Sequence, residues 1–195
     1  MYSQNDEEKV ILEYFGDKKD GKFLDLGAYD GKTFSNTLAL AERGWSGVCV
    51  EASPQCFVSL QTTYRGNDKV KLVCCAVGDV SEPTLQVFHD SGGAVASLNE
   101  EHYLKWKDHQ TDFMDIHAPV FPFSKFIGDF DFVDIDVEGI SMVCTKDLLP
   151  SIDASLWCVE YDSPIDVETL KNIFKQKGYD LIHKTGENLI FGKAK

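Results

Sequence analysis

The 195-residue chain predicts an α/β fold, a mostly parallel sheet with helices packed on both of its faces. Three observations carry that expectation. Short apolar runs alternate with stretches of helical periodicity along most of the chain. Two of the runs, "GVCVEA" and "LWCVEY", are almost continuously apolar, as strands covered on both faces must be. A glycine turn inside "FLDLGAYDGKTFSNTLA" (23–39) joins the first run to a helix-like segment, the layout that cradles nucleotide-like cofactors.

In chain order, residues 6–16 form an amphipathic helix with Val10, Ile11, Tyr14 and Phe15 on its apolar side. After the turn "DKKDGK" comes the strand "KFLDLG", then a helix from Lys32 to Arg43. The strand "SGVCVEA" leads into a helix from Pro54 to Tyr64, and "KVKLVCCAV" is a third strand. Further on, "DFVDIDV" precedes a helix over Ile140–Leu149, and "SLWCVEYD" precedes one over Asp166–Lys177. "YDLIHKT" and "ENLIFGK" turn at Gly186 and close the chain as a hairpin, adding an antiparallel edge strand. No repeat or linker divides the chain, so residues 1–195 are expected to form one domain with length enough for a full core.

Residues 80–128 break this rhythm. "PTLQVFHD" alternates like a strand and "FMDIHAPVFP" resembles another. Between them lies "SGGAVASLNEEHYLKWKDHQTD", with paired glycines and several aromatics. The insertion reads either as the substrate-side region, since functional variation sits on loops over a rigid sheet, or as an ordinary connection with a short helix.

Composition removes several classes. A hydrophobic content of 43% is globular, and a net charge of −13 opposes DNA, RNA and anionic lipid, whose phosphates reward Lys and Arg. Lys105, Lys107 and the tail "FGKAK" are the only basic hints, and they read as scattered surface lysines. No apolar run is long enough to span a bilayer, and the acidic N-terminus lacks the basic region of a signal peptide; a cytoplasmic location is the expectation. Of six cysteines none forms CxxC. Cys49, Cys74, Cys75 and Cys158 fall in strand-like runs and are expected as buried thiols, not as zinc ligands or disulfides.

Ligands of open parallel sheets bind at the carboxyl ends of the strands. Asp25, Gly27, Asp30 and Gly31 follow the first strand, Glu51 the second, and Gly78 and Asp79 the third. Asp134, Asp136 and Glu138 follow the fourth, and Glu160 and Asp162 the fifth. A dinucleotide's pyrophosphate wants backbone N–H groups and no anions, and this turn has GxxxG in place of GxGxxG. S-adenosylmethionine (SAM) carries an ammonium, a sulfonium and ribose hydroxyls instead. Asp25 and Asp30 can meet its amino-acid end. Glu51, 24 residues past Gly27, stands where an acid accepts bonds from the ribose. Gly78 and Asp79 are placed to border the adenine. Singly these residues have plainer roles: tight turns for Gly27 and Gly31, a helix cap for Asp30. Their order and spacing favour SAM over a nicotinamide cofactor.

"FLDLGAYDGKTFSNTLALAERGWSGVCVEASP", "CCAVGD", "AVASL" and "DFVDIDVEG" together resemble the FkbM-type family of SAM-dependent methyltransferases, over roughly residues 22–162. The resemblance implies a class I methyltransferase (Rossmann-like) fold and methyl transfer to a hydroxyl, often of a sugar or other small metabolite. It implies Asp25, Gly27, Asp30 and Gly31 at the methionine end, Glu51 at the ribose, Ala28 and Ala52 among the cofactor-binding residues, and Asp136 and Glu138 facing the transfer site. Two positions depart from the family pattern: Ser141 where a Glu is frequent, and Asp134 where a Lys is frequent.

An alcohol acceptor must lose its proton during transfer. Asp134 and Asp136 share a strand face, and Asp136 is the candidate base or orienting acid, with Glu138 as its partner or as a helix-start carboxylate. Asp136, Glu160 and Asp162 supply the oxygen ligands that Mg²⁺ prefers, the alternative being that the last two only cap the sheet. His89, His102, His109 and His117 lack zinc-site spacing; each is expected at the surface or in a loop, with one as an alternative base. The expected partner is a small-molecule acceptor, without nucleic acid or membrane. Trp106, Phe121 and Phe123 serve either a homodimer interface or a local core. The competing functions are a catalytically inactive SAM-binding scaffold and a nicotinamide-linked reductase; turnover separates the first, NADH binding the second.

Overall fold

A computed structural model describes residues 1–109 and 112–194. Gln110 and Thr111 of the expected insertion, and Lys195 of the "FGKAK" tail, lie outside the described residues. The elements are α1 (Glu7–Phe15), β1 (Lys22–Leu26), α2 (Leu38–Glu42), β2 (Ser46–Glu51), α3 (Pro54–Thr63), β3 (Val70–Cys74) and β4 (Ala76–Gly78). They continue with β5 (Thr84–Asp90), α4 (Glu100–Trp106), β6 (Met114–Pro122), β7 (Phe132–Ile135), α5 (Ser141–Leu148), β8 (Leu156–Glu160), α6 (Pro164–Gln176), β9 (Tyr179–Lys184) and β10 (Asn188–Lys193).

The main sheet has seven strands in the order β3-β2-β1-β7-β8-β10-β9. From β3 to β8 every pairing is parallel. The closing hairpin is antiparallel and inserts β10 between β8 and β9. The chain builds outward from β1 in both directions, so the crevice between β1 and β7 is the topological switch point where ligands bind.

Alternation along the strands sorts the core to two faces. Leu24, Leu26, Val133, Ile135, Trp157 and Val159 pack with α5 and α6. Phe23, Cys49, Phe132, Leu156 and Cys158 pack with α1, α2 and α3. Asp25 and Asp134 continue the second row, which turns two carboxyl groups toward the segment leading into α2.

Three expectations are corrected. The helix expected from Lys32 begins only at Leu38. Asp30 Oδ1 accepts the N–H groups of Lys32 (2.8 Å) and Thr33 (2.6 Å), and Phe34 sits at φ 61°. Short polar side chains bonding nearby backbone hold the segment as a turn. The run "KVKLVCCAV" is two strands: β3 ends the main sheet, while β4 joins a three-stranded sheet in the order β4-β6-β5. Cys74, at the end of edge strand β3, is exposed; the other five thiols are buried and all six are free.

The insertion supplies β5, α4 and β6. Phe123 is buried in the core and Phe121 packs against it. Among the described residues no helix is long and apolar enough to cross a membrane.

Candidate cofactor and active site

Past Leu26 the chain turns through Gly27 and Gly31 at φ 92° and 74°. At Gly27 a Cβ would lie 1.7 Å from the carbonyl oxygen of Asp136, and the Asp136 N–H donates to Leu26 O at 2.9 Å. The two strand ends touch there, and only glycine fits. Gly31 packs on α3, where a Cβ would meet Leu60 and Tyr64. Tyr29 and Phe34 also hold left-handed backbone (φ 50° and 61°), at roughly 1–3 kcal/mol each, strain of the kind that gathers at ligand sites.

A cleft of about 890 Å³, its mouth included, opens above these strand ends. Asp25, Gly27, Ala28, Glu51, Ala52, Asp136 and Glu138 line it, which brings seven of the expected site residues to one place. Asp30 and Gly31 shape the turn behind it; the Asp30 carboxylate is occupied by two N–H groups and the Thr33 hydroxyl (2.7 Å). Gly78 and Asp79 lie off the cleft, and Asp79 is exposed; Cys75, Ala76 and Val77 hold the wall expected of them. Glu160 and Asp162 also lie outside its lining.

The cleft has further lining residues that the sequence pattern does not mark. Thr33, Phe34, Ser35 and Asn36 fall within the helix expected from Lys32, although the polar string "DGKTFSNT" carries turn chemistry. From the insertion come Phe88, Gly93, Ala94, Ala96, Ser97 and Leu98. Within it His89 and His102 are buried, contrary to the surface expectation. His89 stacks on Tyr103 and lies 2.7 Å from Asp115 and 3.1 Å from Glu100.

Glu51 is the best-defined polar group of the cleft. Its two carboxylate oxygens accept the N–H of Ser53 (2.7 Å) and of Tyr29 (2.8 Å). Burial pushes it up to about 7 against those bonds. Deeper, Thr37 Oγ1 donates to Asp25 (2.5 Å) and Asn36 Nδ2 to Asp134 (3.2 Å). Burial raises Asp25 to about 7, with the charge of Asp136 adding to it. Asp134 is raised well above the carboxylate range, by burial first and then by Asp25 and Asp136. Asn36 Oδ1 is buried without a hydrogen-bond partner among the described residues, an acceptor awaiting a donor on the wall of the cleft.

At the other end, burial lifts Asp136 to about 6 and Glu138 to about 8, the latter also by the charges of Asp136 and Asp162. Glu160 is raised well above its usual value, chiefly by burial. Among the described residues no Lys or Arg ion-pairs with any of these acids. Ser141 takes a structural part here: its Oγ accepts the Val137 N–H and donates to Glu160, both at 2.9 Å.

The insertion is fastened to this end. Ser97 Oγ donates to Glu138 O (2.5 Å) and Asn99 Nδ2 to Gly139 O (2.9 Å). Asn99 Oδ1 caps α4 by accepting the N–H groups of Glu101 and His102 (2.9 and 3.2 Å). Gly139 at φ 80° lets α4 close in, since a Cβ there would meet His102 and Asn99 at 2.9 and 3.0 Å. The expected oxygen set of Asp136, Glu160 and Asp162 is not gathered as one group. Two other groups form around Glu138, Asp136–Glu138–Glu160 and His102–Glu138–Asp162, each with ligand atoms within 4.8 Å of one another.

A parallel sheet with its switch point between β1 and β7, a cleft acid at the end of β2 and an antiparallel hairpin at one edge define a class I methyltransferase fold. Residues 25–140 match the family described as the Methyltransferase FkbM domain, and the chain belongs to that family. Solved structures agree in fold. A precorrin-6y methyltransferase from Geobacter metallireducens superposes with a TM-score of 0.55 at 11% identity, covering 96% of this chain and 87% of that one. A fibrillarin pre-rRNA processing protein from Methanococcus jannaschii gives 0.52 at 13% identity, covering 98% and 77%. No curated protein matches the chain.

Membership of a methyltransferase family implies SAM as the cofactor. The residues present fit it. Glu51 is fixed at the second strand end, the Gly27 backbone leaves a cradle that a Cβ would fill, and Asn36, held by Asp134, offers Oδ1 to a donor such as an ammonium.

Proposed function

We propose that the chain methylates a hydroxyl group of a sugar or another small metabolite. In this reading Asp25, Gly27, Ala28 and Asn36 receive the methionine end of SAM, with Asp30 and Gly31 shaping the turn. Glu51 and Ala52 hold the ribose, and Cys75–Val77 border the adenine in place of Gly78 and Asp79. Bound there, SAM supplies a methyl carbon activated by its sulfonium. The protein's part is alignment, which alone can supply several orders of magnitude.

The observation that carries the reading is that one cleft is lined by Glu51 at one strand end and by Asp136 and Glu138 at another. A cofactor anchored on Glu51 therefore reaches toward both acids. Their proton affinities lie apart, at about 6 for Asp136 and about 8 for Glu138. Asp136, the less strongly raised of the two, is the group placed to accept the acceptor hydroxyl's proton, with Glu138 beside it. The acidic lining favours neutral or cationic acceptors over phosphorylated ones, and the net charge of −13 opposes nucleic acid.

The test is S-adenosylhomocysteine (SAH) production with SAM and a panel of sugars, other small alcohols and RNA. The reading expects SAH with a hydroxyl acceptor, and loss of it in Asp136→Asn. Turnover with RNA alone, or SAM binding without turnover on any acceptor, would contradict it; the second result is that of a scaffold.

A further inference from the structure

We propose that His102, Glu138 and Asp162 form a binding site for a divalent transition-metal ion, at the joint between α4 and the ends of β7 and β8. The His102 side chain is only 3% exposed. Its Nε2 lies 3.1 Å from Glu138 Oε2, yet that nitrogen is buried without a hydrogen-bond partner among the described residues. Its Nδ1 lies 3.8 Å from Asp162 Oδ1, beyond hydrogen-bond reach. A buried imidazole normally bonds through its nitrogens. This ring faces a carboxylate on each side and bonds to neither.

The spacing suits an ion. Two ligand atoms each about 2.1 Å from one metal, at a right angle, stand about 3 Å apart, close to the 3.1 Å between Nε2 and Oε2. Charge points the same way. Glu138 and Asp162 have no Lys or Arg ion pair among the described residues, and Asp136 and Glu160 crowd Glu138 from behind. The imidazole distinguishes this set from the oxygen-only group expected for Mg²⁺. One nitrogen with carboxylates suits Mn²⁺, Fe²⁺, Co²⁺ or Zn²⁺ over Mg²⁺ or Ca²⁺. The ligands are already held, since Asn99 caps α4 and grips Gly139, and the Asp162 side chain, 33% exposed, opens the joint to solvent.

The experiment is calorimetric titration of the chelator-stripped full chain with MnCl₂, ZnCl₂ and MgCl₂, repeated on His102→Ala and Asp162→Asn. The expected result is one Mn²⁺ or Zn²⁺ per chain, weaker Mg²⁺ binding, and affinity lowered by about tenfold or more in both variants. No saturable Mn²⁺ or Zn²⁺ binding by the wild type, or unchanged affinity in both variants, overturns the site. Circular dichroism checks folding; should His102→Ala unfold, the surface variant Asp162→Asn decides alone. SAH titration runs separately, because this site does not depend on the cofactor reading. Loss of SAH binding with Mn²⁺ binding intact would overturn that reading and leave the metal site supported.

Discussion

Asp25 and Asp134 are register partners on the adjacent parallel strands β1 and β7, and both are buried. Neither has a Lys or Arg ion pair among the described residues; a threonine hydroxyl and an asparagine amide are what they bond. Two buried carboxyl groups this close cannot both ionise cheaply, so the pair retains a proton at neutral pH. Asn36 bonds Asp134 and Thr37 bonds Asp25, so neutral donors stand where a cation would otherwise balance the pair.

Asp134→Asn should therefore stabilise the ligand-free protein in alkaline solution. An amide keeps the acceptor for Asn36 and adds a donor for Asp25. The expected gain is about 1–2 kcal/mol at pH 8, a rise of roughly 2–8 °C in melting temperature. It should shrink at pH 5, where the carboxyl group is already protonated. Thermal denaturation at both pH values checks this; a loss of stability at pH 8 would contradict it.

Stability of the ligand-free protein should fall as pH rises from 5 to 8. Asp25 and Glu51 are lifted to about 7 and Glu138 to about 8, against unfolded values near 4. Between those limits the folded chain holds protons that the unfolded chain has released. Their contribution is complete below the unfolded value and is lost as pH rises through 7 and 8. The slope is about 1.4 kcal/mol per pH unit for each fully shifted group. A melting temperature flat or rising across this window would show the acids to be ionised at ordinary values.

Gly27→Ala should cost about 3 kcal/mol or more, because its Cβ would meet the Asp136 carbonyl and force β7 from β1. Gly66→Ala, at φ 82° with open space around it, should cost only about 1 kcal/mol. Equal destabilisation of the two in denaturant titrations would mean that backbone conformation, not the strand contact, sets the requirement.

Asn99→Ala removes a cap and the tie to Gly139 together. The cap alone is worth about 1 kcal/mol. Hydrogen exchange should quicken in α4 and in the Glu138–Gly139 turn at once. Faster exchange in α4 alone would show that the insertion is not coupled to the acids.

Regular elements were legible because burial writes period and composition into them. The runs "FLDL", "GVCVE", "FVDI" and "LWCVE" are strands in the structure, and the alternation implied the parallel sheet. Glu51, Asp25 and Asp136 were legible because the sheet fixes what stands at its strand ends. What the sequence hid depends on distant contacts. Asn36 and Thr37 became lining and support because local side-chain bonds from Asp30 and Ser35 held off the helix. Cys75–Val77 line the cleft and Gly78 and Asp79 do not, because β4 leaves the main sheet for β6, a non-local pairing that leaves no period. His102 could be placed beside Glu138 only once α4 was known to lie on Gly139.

Calorimetric titration of SAH into the purified chain at pH 8, wild type against Glu51→Ala, tests the central claim most directly. One site per chain in the wild type, weakened about a hundredfold or more in the variant by loss of a buried charge-assisted contact, is the predicted result. Absence of binding by the wild type, or equal affinity in Glu51→Ala, would contradict the assignment of this cleft to SAM.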